Sequence, residues 1–151
     1  MKAVLQRASY AHLNTDGVDV GELKNGGLVV LFGVEEGDSY EYVDTFVSKI
    51  ANLRIFSDAD DKMNLSLLDT GLGIMIVPNF TLAADCRKGR RPSFAKSGPV
   101  DFAKNCFLNA ADGFRELGIS VVAGTFGADM KVNLINDGPV TIVLDSKDIC
   151  K

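Results

Sequence analysis

Asn79, Phe80 and Thr81 stand where an apolar strand runs into a proline, in the stretch Ile76-Val77-Pro78-Asn79-Phe80-Thr81-Leu82-Ala83-Ala84. Proline offers no N–H to a ladder, so a strand from Ile74 to Val77 must kink or change partners at Pro78. A ladder broken there leaves the N–H groups of Phe80 and Thr81 without evident partners, and buried donors seldom stay unpaired. Two readings are open: a bulged edge strand, or amides that await an oxyanion or a ligand carbonyl. The Thr81 hydroxyl has no neighbouring base to deprotonate it, so it reads as a positioning group rather than a nucleophile.

Other chemistry-bearing residues are sparse. The single histidine, His12, has no histidine, cysteine or carboxylate pattern around it, which gives a Ser-His-Asp site little support. Asp58, Asp60 and Asp61 form an acidic loop, but no glycine or closing glutamate completes a calcium site. Cys86, Cys106 and Cys150 are odd in number and widely spaced, indicating neither a disulfide framework nor a zinc site. No glycine-rich phosphate loop follows a strand. Neither metal nor cofactor is expected. Gly138-Pro139 reads as a turn joining two strands, or as a place where backbone approaches a ligand closely.

Five basic residues, Arg87, Lys88, Arg90, Arg91 and Lys96, fall in one loop with no acid among them, while the whole chain carries a net charge of −4. The loop is therefore a local positive feature on an acidic body, either solvated or in contact with phosphate.

The elements that must position these groups follow from periodicity. Met1–Arg7 reads as one strand and His12–Asn14 as a second, with Thr15-Asp16-Gly17 as a hairpin turn into Val18–Val20. Leu28–Val34 is the candidate central strand. Asp38 and Glu41 suggest a capping box ahead of a helix with Val43, Phe46, Val47 and Ile50 on one face. Met63–Leu68 alternates like a strand. A second helix opens at Gly98-Pro99, with Phe102, Cys106, Ala110, Phe114 and Leu117 apolar and Gly118 as its stop. Ser120–Ala123, Met130–Ile135 and Val140–Leu144 return to strand. The expectation is a single α+β domain over residues 1–151, mostly antiparallel sheet folded barrel-like with two main helices.

At 151 residues and 46% hydrophobic, the chain suits one domain with a substantial core. It has no apolar run long enough to span a bilayer, and Gln6-Arg7 interrupt what a signal peptide needs. A reducing cytoplasm is expected.

Taken together, Asn79-Phe80-Thr81-Leu82-Ala83-Ala84, Arg91-Pro92-Ser93-Phe94 and Asn136-Asp137-Gly138-Pro139-Val140-Thr141 closely resemble the D-aminoacyl-tRNA deacylase family. Gln6-Arg7, Arg54-Ile55-Phe56-Ser57-Asp58 with Lys62-Met63-Asn64, and Phe126-Gly127-Ala128-Asp129-Met130 are similar to it too, so the likeness runs from Met1 to about Leu144.

The resemblance implies a cytoplasmic homodimer that hydrolyses the ester of D-aminoacyl-tRNA, and of mischarged Gly-tRNA, in translation quality control. Gly138 and Pro139, joined by a cis bond, would reach into the partner's Phe-Thr-Leu pocket and leave no room for an L side chain. Arg7 would hold that loop. The Phe80 and Thr81 amides would form the oxyanion hole beside Asn79, with Pro78, Leu82 and Ala83 lining the substrate, and the substrate's own 2′-OH would orient water. Arg87, Lys88, Arg90 and Arg91 would meet the tRNA backbone. One departure stands out: the family usually has Ser-Gln before Phe-Thr-Leu, where this chain has Pro78-Asn79. A relative of altered misacylated-tRNA specificity, or a dimer that binds nucleic acid without turnover, is the alternative.

Overall fold

The structure, a computed structural model, describes residues 1–150. Strand β1 (Lys2–Thr15) is met by β2 (Val18–Leu23) and β3 (Gly27–Gly33). Helix α1 (Glu41–Asn52), the short strands β4 (Phe56–Ser57) and β5 (Met63–Leu65) and the one-turn helix α2 (Leu67–Thr70) lead to β6 (Gly73–Pro78). A 3₁₀ turn (Phe80–Ala83), helix α3 (Val100–Glu116), β7 (Val121–Ala123), β8 (Met130–Asp145) and a last helical turn, α4 (Ser146–Ile149), complete the chain.

One six-stranded sheet runs in the order β2-β1-β3-β6-β7, with β8 paired along β1 as well. β1 is antiparallel to β2, β3 and β8, whereas β3–β6 and β6–β7 are parallel. The sheet curls into a nearly closed barrel. Its architecture is the α+β fold with two main helices that the sequence implied.

Period-two alternation assigns the faces of the central strands. Leu28, Val30 and Phe32 of β3, with Ile74 and Ile76 of β6, join α1 and α3 in the larger core around Phe46, Phe107 and Phe114. Val29, Met75 and Val77 point the other way and fill a smaller core with Ala8, Ala11, Leu13 and Leu23. A parallel strand covered on both faces accounts for the near-continuous apolar run of β6. Each fully buried phenylalanine contributes on the order of 1.5–3 kcal/mol.

Several local expectations are corrected. The two segments predicted at the N-terminus are one strand, β1, because β8 pairs along its whole length. The hairpin itself is as read, with Asp16 at φ 50° and Gly17 at φ 82°. Asp38 does not cap α1: its carboxylate takes the Glu35 N–H and the buried Met1 ammonium, which is also 2.9 Å from Ser146 Oγ. The capping box sits instead at Ser66 and Asp69, so Met63–Leu68 is a short strand followed by a helical turn. On α3 the buried face is Ala103, Cys106, Phe107, Ala110, Ala111 and Phe114; Phe102 is half-buried and Leu117 exposed. Asn136–Pro139 does not divide two strands but lies inside β8 as an excursion.

Candidate active site

Strand β6 ends at Pro78, whose missing N–H is of no consequence at a strand terminus. The next residue stays tied to the sheet, since the Asn79 N–H donates to Phe32 O at 2.8 Å. β3 can approach this closely because it ends in glycine. A Cβ on Gly33 would lie 2.7 Å from the Asn79 carbonyl oxygen. Asn79 is extended (φ −146°, ψ 93°) and caps the 3₁₀ turn.

The cap decides which amides are open. Asn79 Oδ1 accepts from the Thr81 N–H at 3.1 Å and from the Thr81 hydroxyl at 2.5 Å. Of the two donors predicted to be orphaned, Thr81 is therefore engaged. The Phe80 N–H makes no hydrogen bond among the described residues. Because the Thr81 hydroxyl proton points at Asn79, its lone pairs face outward and the group presents itself as an acceptor. Leu82 packs toward Gly33, and Ala83 is buried.

Phe80 is 57% exposed, unusual for so large an apolar ring. It lies edge-on against Phe94 at 5.2 Å, and Ser97 Oγ donates to its carbonyl at 3.3 Å. The Arg91-Pro92-Ser93-Phe94 motif is thereby brought onto the Asn79-Phe80-Thr81 motif. Between them and α3 opens a largely apolar pocket of about 340 Å³, lined among others by Phe32, Val34, Phe80, Val100, Phe107 and Phe126. Sequence reasoning singled out neither Val100 nor Phe107 for it. Val100, an apolar residue at the start of α3, is 70% exposed, which only the folded chain reveals. A larger groove of about 780 Å³ along α1 is shallower and contains none of the candidate residues.

The second candidate segment lies in β8. Gln6 pairs with Thr141 and Ala8 with Asn136, so Asp137 to Val140 loop out opposite the single residue Arg7. Gly138 has φ 127°, a region where only glycine is comfortable, and the Gly138-Pro139 bond is cis. Arg7 stands under this excursion. Its Nε donates to Asp137 O at 3.1 Å, its Nη1 to Ile55 O at 2.7 Å, and the Asp137 carboxylate is 3.4 Å away. Gly138 and Pro139 are exposed, and no hydrogen bond joins them to Phe80 or Thr81 within the chain among the described residues.

The remaining candidates lie apart. Arg87, Lys88, Arg90 and Arg91 are all exposed, and Arg87 is forked onto Asp85, whose carboxyl it holds far below the usual carboxylate range. His12 does have a carboxylate beside it after all: Asp19, across the hairpin at 3.1 Å. Cys106 is buried and its thiol is pushed up to about 11, which suits a packing role. Asp58 accepts from the Asp60 and Lys62 N–H groups, organising its own loop rather than a cation site.

The family model described as D-Tyr-tRNA(Tyr) deacylase matches residues 4–145. The D-aminoacyl-tRNA deacylase of Geotalea uraniireducens is 51% identical over 146 residues, 97% of this chain and 94% of that protein. The protein of the same name from Thermosipho africanus is 48% identical over 149 residues, 99% of each chain. A solved structure, named c-Myc DNA Unwinding Element Binding Protein, superposes with a TM-score of 0.88 at 34% identity, covering 97% of this chain and 99% of that one. On the family match and these full-length likenesses, the chain belongs to the D-Tyr-tRNA(Tyr) deacylase family.

Proposed function

We propose that this protein is a hydrolase of D-aminoacyl-tRNA, releasing the free D-amino acid and tRNA, and that it treats a glycyl ester in the same way. The observation that carries the reading is that one chain holds both an unbonded amide, on the exposed Phe80, and a Gly138-Pro139 excursion fixed by Arg7. The family membership supports the reaction class.

In this reading the ester carbonyl of the substrate lies against the Phe80 N–H, which stabilises the developing oxyanion. One such donor contributes about 2.7–4 kcal/mol, or a hundred- to thousandfold in rate. The Thr81 hydroxyl accepts a hydrogen bond from the substrate and orients it, and the ribose 2′-OH orients the attacking water. The pocket beside Phe80 and Phe126 has the size and apolar lining for a flat base at the end of the acceptor strand. Gly138 and Pro139 of a second copy close the site from above, and their carbonyls exclude an L side chain while a D side chain points to solvent. Chirality is then read by rigid main chain, without inspection of the side chain.

The site is thus shared between two copies of the chain in a cytoplasmic homodimer. Mixed dimers test this together with the activity. A Gly138→Val chain, which spoils the excursion, and an Asn79→Ala/Thr81→Ala chain, which spoils the turn, are each expected to hydrolyse D-Tyr-tRNA poorly. Mixed in equal amounts and allowed to exchange, they regain about a quarter of wild-type activity, because half the dimers are mixed and each then has one intact site. No recovery on mixing contradicts the shared site.

A further inference from the structure

The loop after the 3₁₀ turn carries a cationic tip whose shape depends on one carboxylate. Asp85 is bridged through its main chain to Ser93, with N–H to O separations of 2.8 and 3.0 Å. Its side chain accepts from the Arg87 N–H at 3.1 Å and from Arg87 Nε at 2.8 and 3.0 Å, and Arg87 Nη2 completes the fork. Lys96 Nζ stands 3.6 Å from the same carboxylate. Asp85 thereby ties the two ends of the loop to each other. Lys88, Arg90 and Arg91 lie between the ties, exposed, and no ion pair engages them among the described residues.

Exposed ion pairs contribute little to stability, a median of about 0–1 kcal/mol, so the value of this fork is geometric. Three like charges on a loose loop repel and spread, and ordering them on binding costs free energy that a fixed loop has already met. We propose that Asp85 is a positioning residue for RNA: by closing the loop it holds Lys88, Arg90 and Arg91 as one array facing a phosphate backbone. The proposal rests on the assignment of this loop to tRNA contact. It also reverses the expectation from charge alone, under which removing an acid beside a basic patch strengthens the attraction for RNA.

The test measures binding of deacylated tRNA over a salt series, with KM and kcat on D-Tyr-tRNA and a thermal melt for each protein. The variants are Asp85→Asn, Asp85→Glu and the triple Lys88→Ala/Arg90→Ala/Arg91→Ala. Asp85→Asn is expected to bind roughly three- to tenfold more weakly and to raise KM by the same factor, with kcat and melting temperature unchanged. Asp85→Glu, which keeps the charge and the reach to Arg87, restores most of the affinity. The triple variant binds more weakly still, and its salt slope is lower by up to about 0.9 for each phosphate it no longer neutralises. If Asp85→Asn binds as tightly as wild type or more tightly while the triple variant is weakened, the positioning role is overturned and the loop keeps its tRNA assignment. If the triple variant binds as wild type does, both are overturned. A loss of kcat or a lowered melting temperature in Asp85→Asn also overturns the proposal, since it marks a structural role.

Discussion

The carboxamide oxygen of Asn79 lies 3.1 Å from the Thr81 amide nitrogen and 2.5 Å from the Thr81 hydroxyl, so a single acceptor holds both donors of that residue. This is the local consequence of the Pro78-Asn79 pair. Asparagine is among the best N-cap residues because its short side chain reaches back to an amide two or three positions on. The turn that follows Pro78 is therefore capped from within. Asn79→Ala removes both hydrogen bonds, leaving the Thr81 amide uncapped and its hydroxyl free to rotate. Steady-state kinetics on D-Tyr-tRNA are expected to show kcat lowered about tenfold, the equivalent of about 1.4 kcal/mol, with KM little changed. An unaltered kcat in Asn79→Ala removes the cap from the account.

In the proposed mechanism Thr81 accepts a hydrogen bond and does not attack the ester. Thr81→Val keeps the shape and deletes the acceptor, and single-turnover hydrolysis is expected to slow by about tenfold. Thr81→Ser, which keeps the hydroxyl, stays near the wild-type rate. A fall in Thr81→Val to the level of the Gly138→Val chain, or a trapped acyl-enzyme, identifies a nucleophile instead.

Arg7 fastens the β8 excursion to the body of the protein through Asp137 O and Ile55 O. Arg7→Ala leaves Gly138 and Pro139 on a loop without its brace. Misplacing a rigid element by about 1 Å costs on the order of a hundredfold in rate, and kcat/KM on D-Tyr-tRNA is expected to fall by that order. Hydrolysis of L-Tyr-tRNA is expected to rise at the same time, because the carbonyls proposed to exclude it are no longer fixed. A variant with wild-type discrimination shows that the excursion holds its own shape.

Much of this was legible from the residues. Asp16-Gly17 specified its hairpin, the i, i+3, i+4 spacing from Val43 to Ile50 specified α1, and Pro78 marked the end of β6. What was missed depended on packing between distant segments. Asp38 has the spacing of a cap to Glu41, yet the ammonium of Met1 lies nearer and takes its carboxylate. β8 looked like two strands because Asn136–Pro139 is made of turn residues. β1 runs unbroken beside it and carries the pairing across the excursion. The pocket beside Phe80 is assembled from β3, α3 and the segment at Phe126, which no local pattern connects.

Acid should loosen the chain through its turns. The Asp58 carboxyl is lowered first by the Lys62 N–H, and that of Asp69 first by the Ser66 N–H, each below the usual carboxylate range. A depressed carboxyl contributes stability that is fully present above its unfolded value, about 3.9, and is lost as pH falls through the folded one. Urea midpoints are expected to be flat from about pH 7 down to pH 5 with respect to these groups and to decline below about pH 4. Asp69→Asn, which cannot titrate, flattens part of that decline; an unchanged acid limb in this variant contradicts the assignment.

The central claim is that main-chain groups of two chains sort mirror-image esters by shape, and it is tested most directly by hydrolysis of D-Tyr-tRNA, L-Tyr-tRNA and Gly-tRNA by the purified protein. The account predicts rapid release of D-tyrosine and of glycine, with the L ester decaying no faster than it does in buffer. Equal rates on the D and L esters, or binding of all three without turnover, would contradict it.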